Sequence, residues 1–438
     1  MLRVPSLRLV RIAARCLLPL AVAACSEGRA SATGAVMRDS AGIAITESTD
    51  PVWKSDAALV LAPEPAVVIG REDDADYQFG RIVAATRLAD GRIAVFDGMA
   101  NELRFFDAQG QLVGKVGGSG GGPGEYKNVS WMQRLAGDSL MLHDMGAQRI
   151  TVLAPDGAVA RSLSLAAAAP PRKAPEAEQG APRVFMTGMG IYRVLAPFAD
   201  GTLLARVASA PRLDATSRDS LVYVRLAADG SLRDTIGTFA GDETQARRSG
   251  SGENVMIAIG PPPFGKASRV AVDGDGFWFG SADRYELARY TADGRLVRLV
   301  RRAVEPLPVT PEDAEARKRK ELDRTMSGIP AGMEARFRRM TEEKWANATL
   351  PPTFPAHGDL HIDPAGRLWV QETTRPADPI PRWSAFDADG RYLGTVALPE
   401  DFRVLEFGAD YVLGVQRDEN DVEQVRLYAL QPGGAGAA

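Results

Sequence analysis

Histidine and aspartate side chains in the last quarter of the chain are spaced as metal ligands could be. His357 and His361 are four residues apart, which on a helix would place both on one face. The segment is expected to be extended, and there four residues span about 13 Å, too far for one ion with bonds of about 2 Å. Asp359, His361 and Asp363 instead share one strand face, at steps of about 6.6 Å. These three residues are the candidate ligands of a calcium or transition-metal ion.

A glycine-rich segment at 117–126 (GGSGGGPGEY) is the second candidate site. Successive glycines expose backbone N–H groups that can bind an anion. The segment does not fit Gly-x-Gly-x-x-Gly, and a strand follows it where a dinucleotide site needs a helix. A crossover between two sheets also needs glycine for unusual φ angles, so we favour a structural role. Gly124, Glu125 and Tyr126 are the candidate partner-facing loop.

Other motifs for catalysis are incomplete. The segment 260–266 (GPPPFGK) imitates a phosphate-binding loop, but Ala267 stands where such a loop has the Ser or Thr that binds Mg²⁺. The sequence has no Gly-x-Ser-x-Gly motif, and its two cysteines are both among the first 25 residues. We therefore predict no catalytic residue and no cofactor, and expect calcium or zinc only if the chain is an enzyme.

Residues 1–24 have the composition of a lipoprotein signal peptide. Four arginines precede a short apolar run at 16–24 (CLLPLAVAA). The small residues at 22–24, directly before Cys25, resemble a bacterial lipobox, in which the cysteine becomes the lipid-modified N-terminus. An ordinary secretory signal is the alternative, but Cys25 would then have no disulfide partner after cleavage. We predict a lipid anchor on Cys25 in the cell envelope, and Ser26 favours the outer membrane.

The charge balance limits the class of partner. Removal of four arginines with the signal would move the formal net charge from −4 to about −8. A mildly acidic protein is not expected to bind nucleic acid. Small and polar residues predict a flexible tether at 25–41 and a disordered tail at 432–438.

Between these ends, one pattern of short strands and Asp/Gly turns recurs. Its clearest copies are Leu88–Gly118 and Leu135–Leu165. Repeats of about 40–50 residues made of short strands are typical of propeller blades. We predict an all-β fold, a six-bladed β-propeller at 42–431, with blades at 79–118, 129–165, 184–239, 254–302, 357–398 and 402–431. The last blade has three strands of its own, so Ala58–Gly70 is expected to supply the fourth and close the ring.

One segment, 310–346, departs from the strand pattern and predicts a helical hairpin inserted between blades four and five. Thr310, Pro311 and Asp313 form a helix start with a cap, a proline at the first position and an acid. In the second helix Met333, Phe337 and Met340 form one apolar stripe, which we expect to be buried against the propeller.

Blade two and the glycine-rich segment before it resemble the NHL repeat. Asp144, Arg149 and Ile150 occupy its characteristic positions, whereas Ala147 replaces its asparagine. The segment 39–48 (DSAGIAITES) and the inserted helices are similar to an exported six-bladed propeller family of environmental bacteria. The resemblance implies the fold and export, but no biochemical role.

The sequence therefore favours a lipid-anchored binding or scaffolding module, with a protein, peptide or glycan as partner and the membrane contacted through Cys25. The alternative is a metal-dependent hydrolase or lyase. NHL-like and gluconolactonase-like propellers hold calcium or zinc in the central channel, which would require ligands from several blades to converge on one point.

Overall fold

The computed structural model of the chain describes residues 29–30, 34–54, 58–165, 192–207, 216–249, 256–326 and 332–433. Five short strands precede the first blade: β1 (Arg29–Ala30), β2 (Ala35–Ser40), β3 (Ile43–Ser48), β4 (Leu59–Leu61) and β5 (Val67–Ile69). Six sheets then follow in chain order, and they form the six-bladed β-propeller that the repeat predicts.

Blades one to five are each built on four consecutive antiparallel strands in simple up-and-down order, and blade six has three. Blade one contains β6 (Ile82–Arg87), β7 (Ile93–Asp97), β8 (Glu102–Phe106) and β9 (Leu112–Gly117). Blade two contains β10 (Val129–Arg134), β11 (Leu140–Asp144), β12 (Arg149–Leu153) and β13 (Val159–Ser164). Blade three contains β14 (Tyr192–Pro197), β15 (Leu203–Val207), β16 (Thr216–Leu226) and β17 (Leu232–Ser249), and β18 (Met256–Gly260) pairs with the end of β17.

The second half of the ring repeats this order. Blade four contains β19 (Arg269–Val272), β20 (Gly276–Gly280), β21 (Glu286–Thr291) and β22 (Leu296–Arg302). Blade five contains β23 (Leu360–Ile362), β24 (Leu368–Gln371), β25 (Arg382–Phe386) and β26 (Tyr392–Ala397). Blade six contains β27 (Arg403–Phe407), β28 (Tyr411–Arg417) and β29 (Glu423–Pro432).

The hydrophobic core lies between the blades. Alternate side chains of a strand point to opposite faces of its sheet, so each blade buries both faces against its two neighbours. One cluster, for example, joins Ile82 and Phe106 of blade one to Leu413 and Val425 of blade six. Burial of this apolar surface holds the ring together.

The N-terminal strand closes the ring as predicted. In β29 of blade six, Leu430 pairs with Leu61 and Val425 pairs with Ile69, both in antiparallel register. Strands β4 and β5 thus complete the last blade as its outermost strand. The pairing covers a strand edge that would otherwise expose unpaired N–H and C=O groups.

The predicted tether at 25–41 is wrong for residues 35–40, which form β2. Ala41 and Gly42 have φ angles of 53° and 80°, as in the two-residue turn that joins hairpin strands. The hairpin β2–β3 adds to the outer edge of blade four, where β3 runs parallel to β22. The other predicted tether residues except 29–30, 34 and 41 lie outside the described residues. So do 434–438 of the predicted tail, whereas Pro432 belongs to β29.

From β3 the chain continues around the outside of the ring. The Thr46 hydroxyl donates to Asp389 O at 2.7 Å, and Trp53 N donates to Leu393 O at 2.8 Å, both on blade five. The chain then reaches blade six as β4 and β5. The described residues of 43–69 therefore follow the outer edges of blades four, five and six in turn, and we call them the outer belt.

Two helices, α1 (Pro311–Met326) and α2 (Glu334–Ala346), lie between β22 and β23. Thr310 caps α1, since its hydroxyl accepts a hydrogen bond from Asp313 N at 3.3 Å while Asp313 Oδ2 accepts one from Thr310 N at 3.0 Å. Arg375 of blade five forms an ion pair with Asp313 and so fixes the start of α1. Neither helix of the described chain is long and apolar enough to cross a membrane.

The expected burial of the apolar stripe is wrong for Met333 and Met340, whereas Phe337 is half-buried. Met333 is 39% exposed and Met340 is 48% exposed. The aromatic contact of α2 with the propeller is made instead by Trp345, whose ring lies 6.2 Å from that of Phe264, ahead of blade four. Its Nε1 also donates to Glu321 of α1 at 3.0 Å. An indole combines a large apolar surface with a hydrogen-bond donor, so it docks the helix better than the methionines do.

Ring closure by β5 gives a prediction with an internal control. Ile69 is fully buried and Val68, next to it in the same strand, is 44% exposed. Ile69→Ala should lower the free energy of unfolding by about 2–4 kcal/mol, since it leaves a cavity at the seam. Val68→Ala should change it by less than about 0.5 kcal/mol. Urea denaturation of both variants measures this, and equal losses would show that β5 does not pack as a closing strand.

Candidate functional site

A cavity of about 900 Å³ opens at the centre of the ring. All six blades contribute to its lining, mostly through the ends of their first strands and the turns that follow. These first strands, β6, β10, β14, β19, β23 and β27, are the innermost ones, since they contact each other around the ring. Clefts of this size are typical of small-molecule sites, so this cavity is the candidate binding site.

Blade two contributes Trp131, Gln133 and Arg134 of β10. Trp131 Nε1 donates to Val194 O of blade three at 3.0 Å, and Arg134 donates to Arg87 O of blade one at 2.7 Å. Both side chains are therefore held in place by neighbouring blades. The amide of Gln133 is half-buried and has no hydrogen-bond partner in the described part of the chain. It is free to bind a ligand.

Blade six contributes Glu406, which is half-buried. Its carboxylate accepts hydrogen bonds from the hydroxyl groups of Thr86 in β6 and Tyr411 in β28. Burial raises the pKa of Glu406 above its ordinary value, although both hydroxyl donors act in the opposite direction. The residue thus joins blade six to blade one across the closing seam, beside the cavity.

Blade five contributes His361. Its ring lies 5.3 Å from the ring of Trp383 and 5.9 Å from that of Phe407. Burial among these groups lowers the pKa of His361 to about 4, although Asp359 acts in the opposite direction. The imidazole is therefore neutral near pH 7. Within the described ranges its nitrogens have no hydrogen-bond partner, so it presents one donor and one acceptor to a ligand.

The three candidate metal ligands are not assembled into one site. Asp359 forms an ion pair with Arg269. Asp363 accepts hydrogen bonds from the backbone of its own turn and, at 2.9 Å, from Trp369 Nε1, and it also pairs with Arg367. Among the described residues, no group of three His, Cys, Asp or Glu side chains could hold a metal ion. The spacing along the strand did not identify a metal site, because each carboxylate forms an ion pair with an arginine.

The candidate loop at Gly124, Glu125 and Tyr126 is a structural crossover. Tyr126 is only 1% exposed and packs edge-on against Phe96, with ring centroids 5.3 Å apart, so it cannot face a partner as predicted. Burial raises its pKa to about 12. Glu125 is exposed, but its carboxylate accepts the N–H of Gly122 at 2.8 Å, and Arg149 donates to the carbonyl of Glu125.

The repeat aspartates have structural roles as well. Asp144 accepts hydrogen bonds from the N–H groups of Lys127 and Asn128 at 2.9 and 3.0 Å, and so links the start of β10 to the end of β11. Asp97 accepts the N–H groups of Gly80 and Arg81 in blade one in the same way. The NHL-like positions therefore stabilise the blades and do not line the cavity.

Comparison with known proteins agrees with this architecture. A family model described as a 6-bladed beta-propeller (DUF5128) matches residues 75–133. No curated protein sequence matches the chain.

Similar solved structures come from several bacteria. A protein of Bacteroides fragilis described as exported has 10% identity and a TM-score of 0.44, with 88% of this chain and 99% of that one covered. A DUF4221 family member of Bacteroides vulgatus has 9% identity and a TM-score of 0.45, with 86% and 100% covered. A gluconolactonase of Xanthomonas campestris has 12% identity and a TM-score of 0.38, with 86% and 99% covered.

The neutral state of His361 is testable by titration. The folded-state pKa of about 4 lies below the ordinary 6.5, so the unfolded chain binds more protons between these values. The stability due to this residue is therefore present above pH 6.5 and is lost as the pH falls toward 4. The chain has three histidines, so ¹³C-labelled imidazole resonances can be assigned with His361→Gln. A titration midpoint of His361 near 6.5 would contradict its placement in the cavity wall.

Proposed function

We propose that the protein is an exported, lipid-anchored binding module and that the central cavity is its binding site. The observation that carries the proposal is the pair of unpartnered polar side chains in the cavity wall, Gln133 of blade two and His361 of blade five. These blades face each other in a ring of six. A ligand between them could receive hydrogen bonds from both sides.

The charges around the cavity favour an uncharged ligand. Arg289 is paired with Asp273 at 2.5 Å, and Arg367 is paired with Asp363. Because these charged groups already have partners, the groups left for a ligand are neutral hydrogen-bonding side chains beside aromatic rings. Hydroxyl groups over an apolar ring face are the chemistry of a saccharide, so among the expected partners we favour a neutral glycan fragment.

The alternative, a metal-dependent hydrolase or lyase, needs several free ligand side chains at one point. Of its three candidate ligands, Asp359 and Asp363 are engaged by Arg269 and Arg367, which leaves only His361. Binding without chemistry is therefore the better-supported proposal.

The binding proposal is tested with neutral oligosaccharides and isothermal titration calorimetry. Gln133→Ala and His361→Ala should each weaken binding about tenfold or more, since each removes a hydrogen-bonding group from the ligand. Gln109→Ala is the matched control, because Gln109 is exposed on a turn of blade one, away from the cavity. If the control weakens binding as much as Gln133→Ala, the ligand is bound elsewhere. If no oligosaccharide binds, the glycan assignment is wrong.

The lipid anchor on Cys25 is tested separately. We expect the wild-type protein in the outer-membrane fraction, because the acyl chains attach it to the bilayer. Cys25→Ala should leave an unprocessed precursor or release soluble protein, and Cys16→Ala is the control that should keep the protein in the membrane fraction. Wild-type protein found free in the periplasm would overturn the anchor.

A further inference from the structure

A second cavity, of about 430 Å³, lies at the other end of the innermost strands. The central cavity is lined by the ends of β6, β10 and β27, at Thr86, Arg134 and Glu406. The second cavity is lined by the starts of the same three strands, including Arg81, Asn128 and Arg403. It therefore belongs to blades six, one and two and is distinct from the proposed binding site.

Neither arginine of this cavity forms an ion pair within the described residues. Arg403 Nη2 donates to Ile82 O across the closing seam at 2.7 Å, which fixes its guanidinium and leaves its other N–H groups unused. Arg81, one residue before Ile82, makes no side-chain hydrogen bond or ion pair in the described part of the chain. The seam thus holds two guanidinium groups, one from each blade, at one opening.

Glu423, the acidic residue of this cavity, already makes contacts within the fold. Glu423 Oε2 accepts the N–H of Ile82 at 2.6 Å, and its other oxygen lies 3.3 Å from Arg417 Nη2. Arg417 also pairs with Asp421 at 2.7 Å, so it offsets the charge of Glu423 only in part, and the two cavity arginines still leave a net positive charge. This differs from the central cavity, where Arg289 and Arg367 are paired with aspartates.

Blade two contributes neutral polar side chains to this cavity. The side-chain amide of Asn128 has no partner within the described ranges, and Ser130 is exposed at the same opening. Ser130 Oγ lies 2.8 Å from Nδ1 of the buried His143. Burial lowers the pKa of His143 to about 4, so near pH 7 it adds no charge. A group bound here would meet two arginines, one of them fixed by Ile82 O, and two neutral polar side chains.

We propose that Arg81 and Arg403, assisted by Asn128 and Ser130, bind the carboxylate or phosphate group of a small anion. Guanidinium groups present paired N–H donors that match the two oxygens of such a group. The ligand class is an oxyanion, and the two sources that share this chemistry are an acidic sugar and a phosphorylated molecule.

The experiment uses the chain from residue 26, which retains the blades, the outer belt and the helical hairpin and lacks only the leader and Cys25. Titration calorimetry compares inorganic phosphate, glucuronate and glucose. We expect at least one of the two anions to bind at least tenfold more tightly than glucose and to weaken as salt is raised. The anion that binds more tightly identifies the source. Equal binding of all three, or none, would overturn the proposal.

Charge-removing variants locate the site. Arg81→Gln and Arg403→Gln should each weaken anion binding about tenfold, whereas Arg161→Gln, an exposed arginine on β13, should not. Arg403 bonds across the seam, so its variant could unfold; Arg81→Gln breaks no hydrogen bond and tests the site alone. His361→Ala should leave anion binding unchanged, which separates this site from the central cavity. Unchanged binding in Arg81→Gln would overturn the assignment.

Discussion

Everything in this propeller depends on how the last blade is joined to the first. A ring of blades is stable only when no sheet edge is left open, and blade six has three strands of its own. At the outer edge, β4 and β5 pair with β29. At the inner edge the seam is polar: Glu406 accepts from Thr86, and Arg403 donates to Ile82 O. Glu406 of the central cavity and Arg403 of the second cavity both lie at this seam, so the geometry of both candidate sites depends on the closed ring.

The outer belt extends the same constraint over half of the ring. It joins blade four to blade six across the outside of blade five, and Trp53 packs against Gly394 of that blade. A Cβ at Gly394 would lie 2.6 Å from the Trp53 ring, and its φ of +159° also favours glycine. The belt is therefore a specific element of the fold. It also explains why small and polar residues near the N-terminus were misread as a tether: the hairpin β2–β3 gains its stability from β22, which is 250 residues away.

Features with local causes could be predicted from the sequence, and features that depend on distant partners could not. The blades and the cap at Thr310 follow from patterns within a few residues. The closing strand is the exception: its partner β29 is distant in the chain, but the missing fourth strand of blade six indicated it. The predicted burial of the stripe on α2 was wrong because Trp345, and not Met333 or Met340, contacts an aromatic ring ahead of blade four. Gln133 and Glu406 gave no signal, since a single polar residue in an apolar strand shows its role only when the other blades surround it. Asp363 was different, because Arg367 follows it by four residues and its ion pair could have been inferred.

In a repeated fold, equivalent positions in different blades also show which residue types the architecture requires and which it does not. Four of the innermost strands have an irregular register at the same place, at Val83, Ser130, Leu195 and Leu405. Such bulges turn a side chain out of the regular pattern, and three of these four positions hold an aliphatic residue. The fold therefore does not require a hydroxyl at Ser130. Arg81 lies over Gly98, but its side chain makes no hydrogen bond or ion pair within the described residues. Some residues differ from those at equivalent positions in other blades and do not stabilise the ring. Ligand binding can explain the identity of such residues.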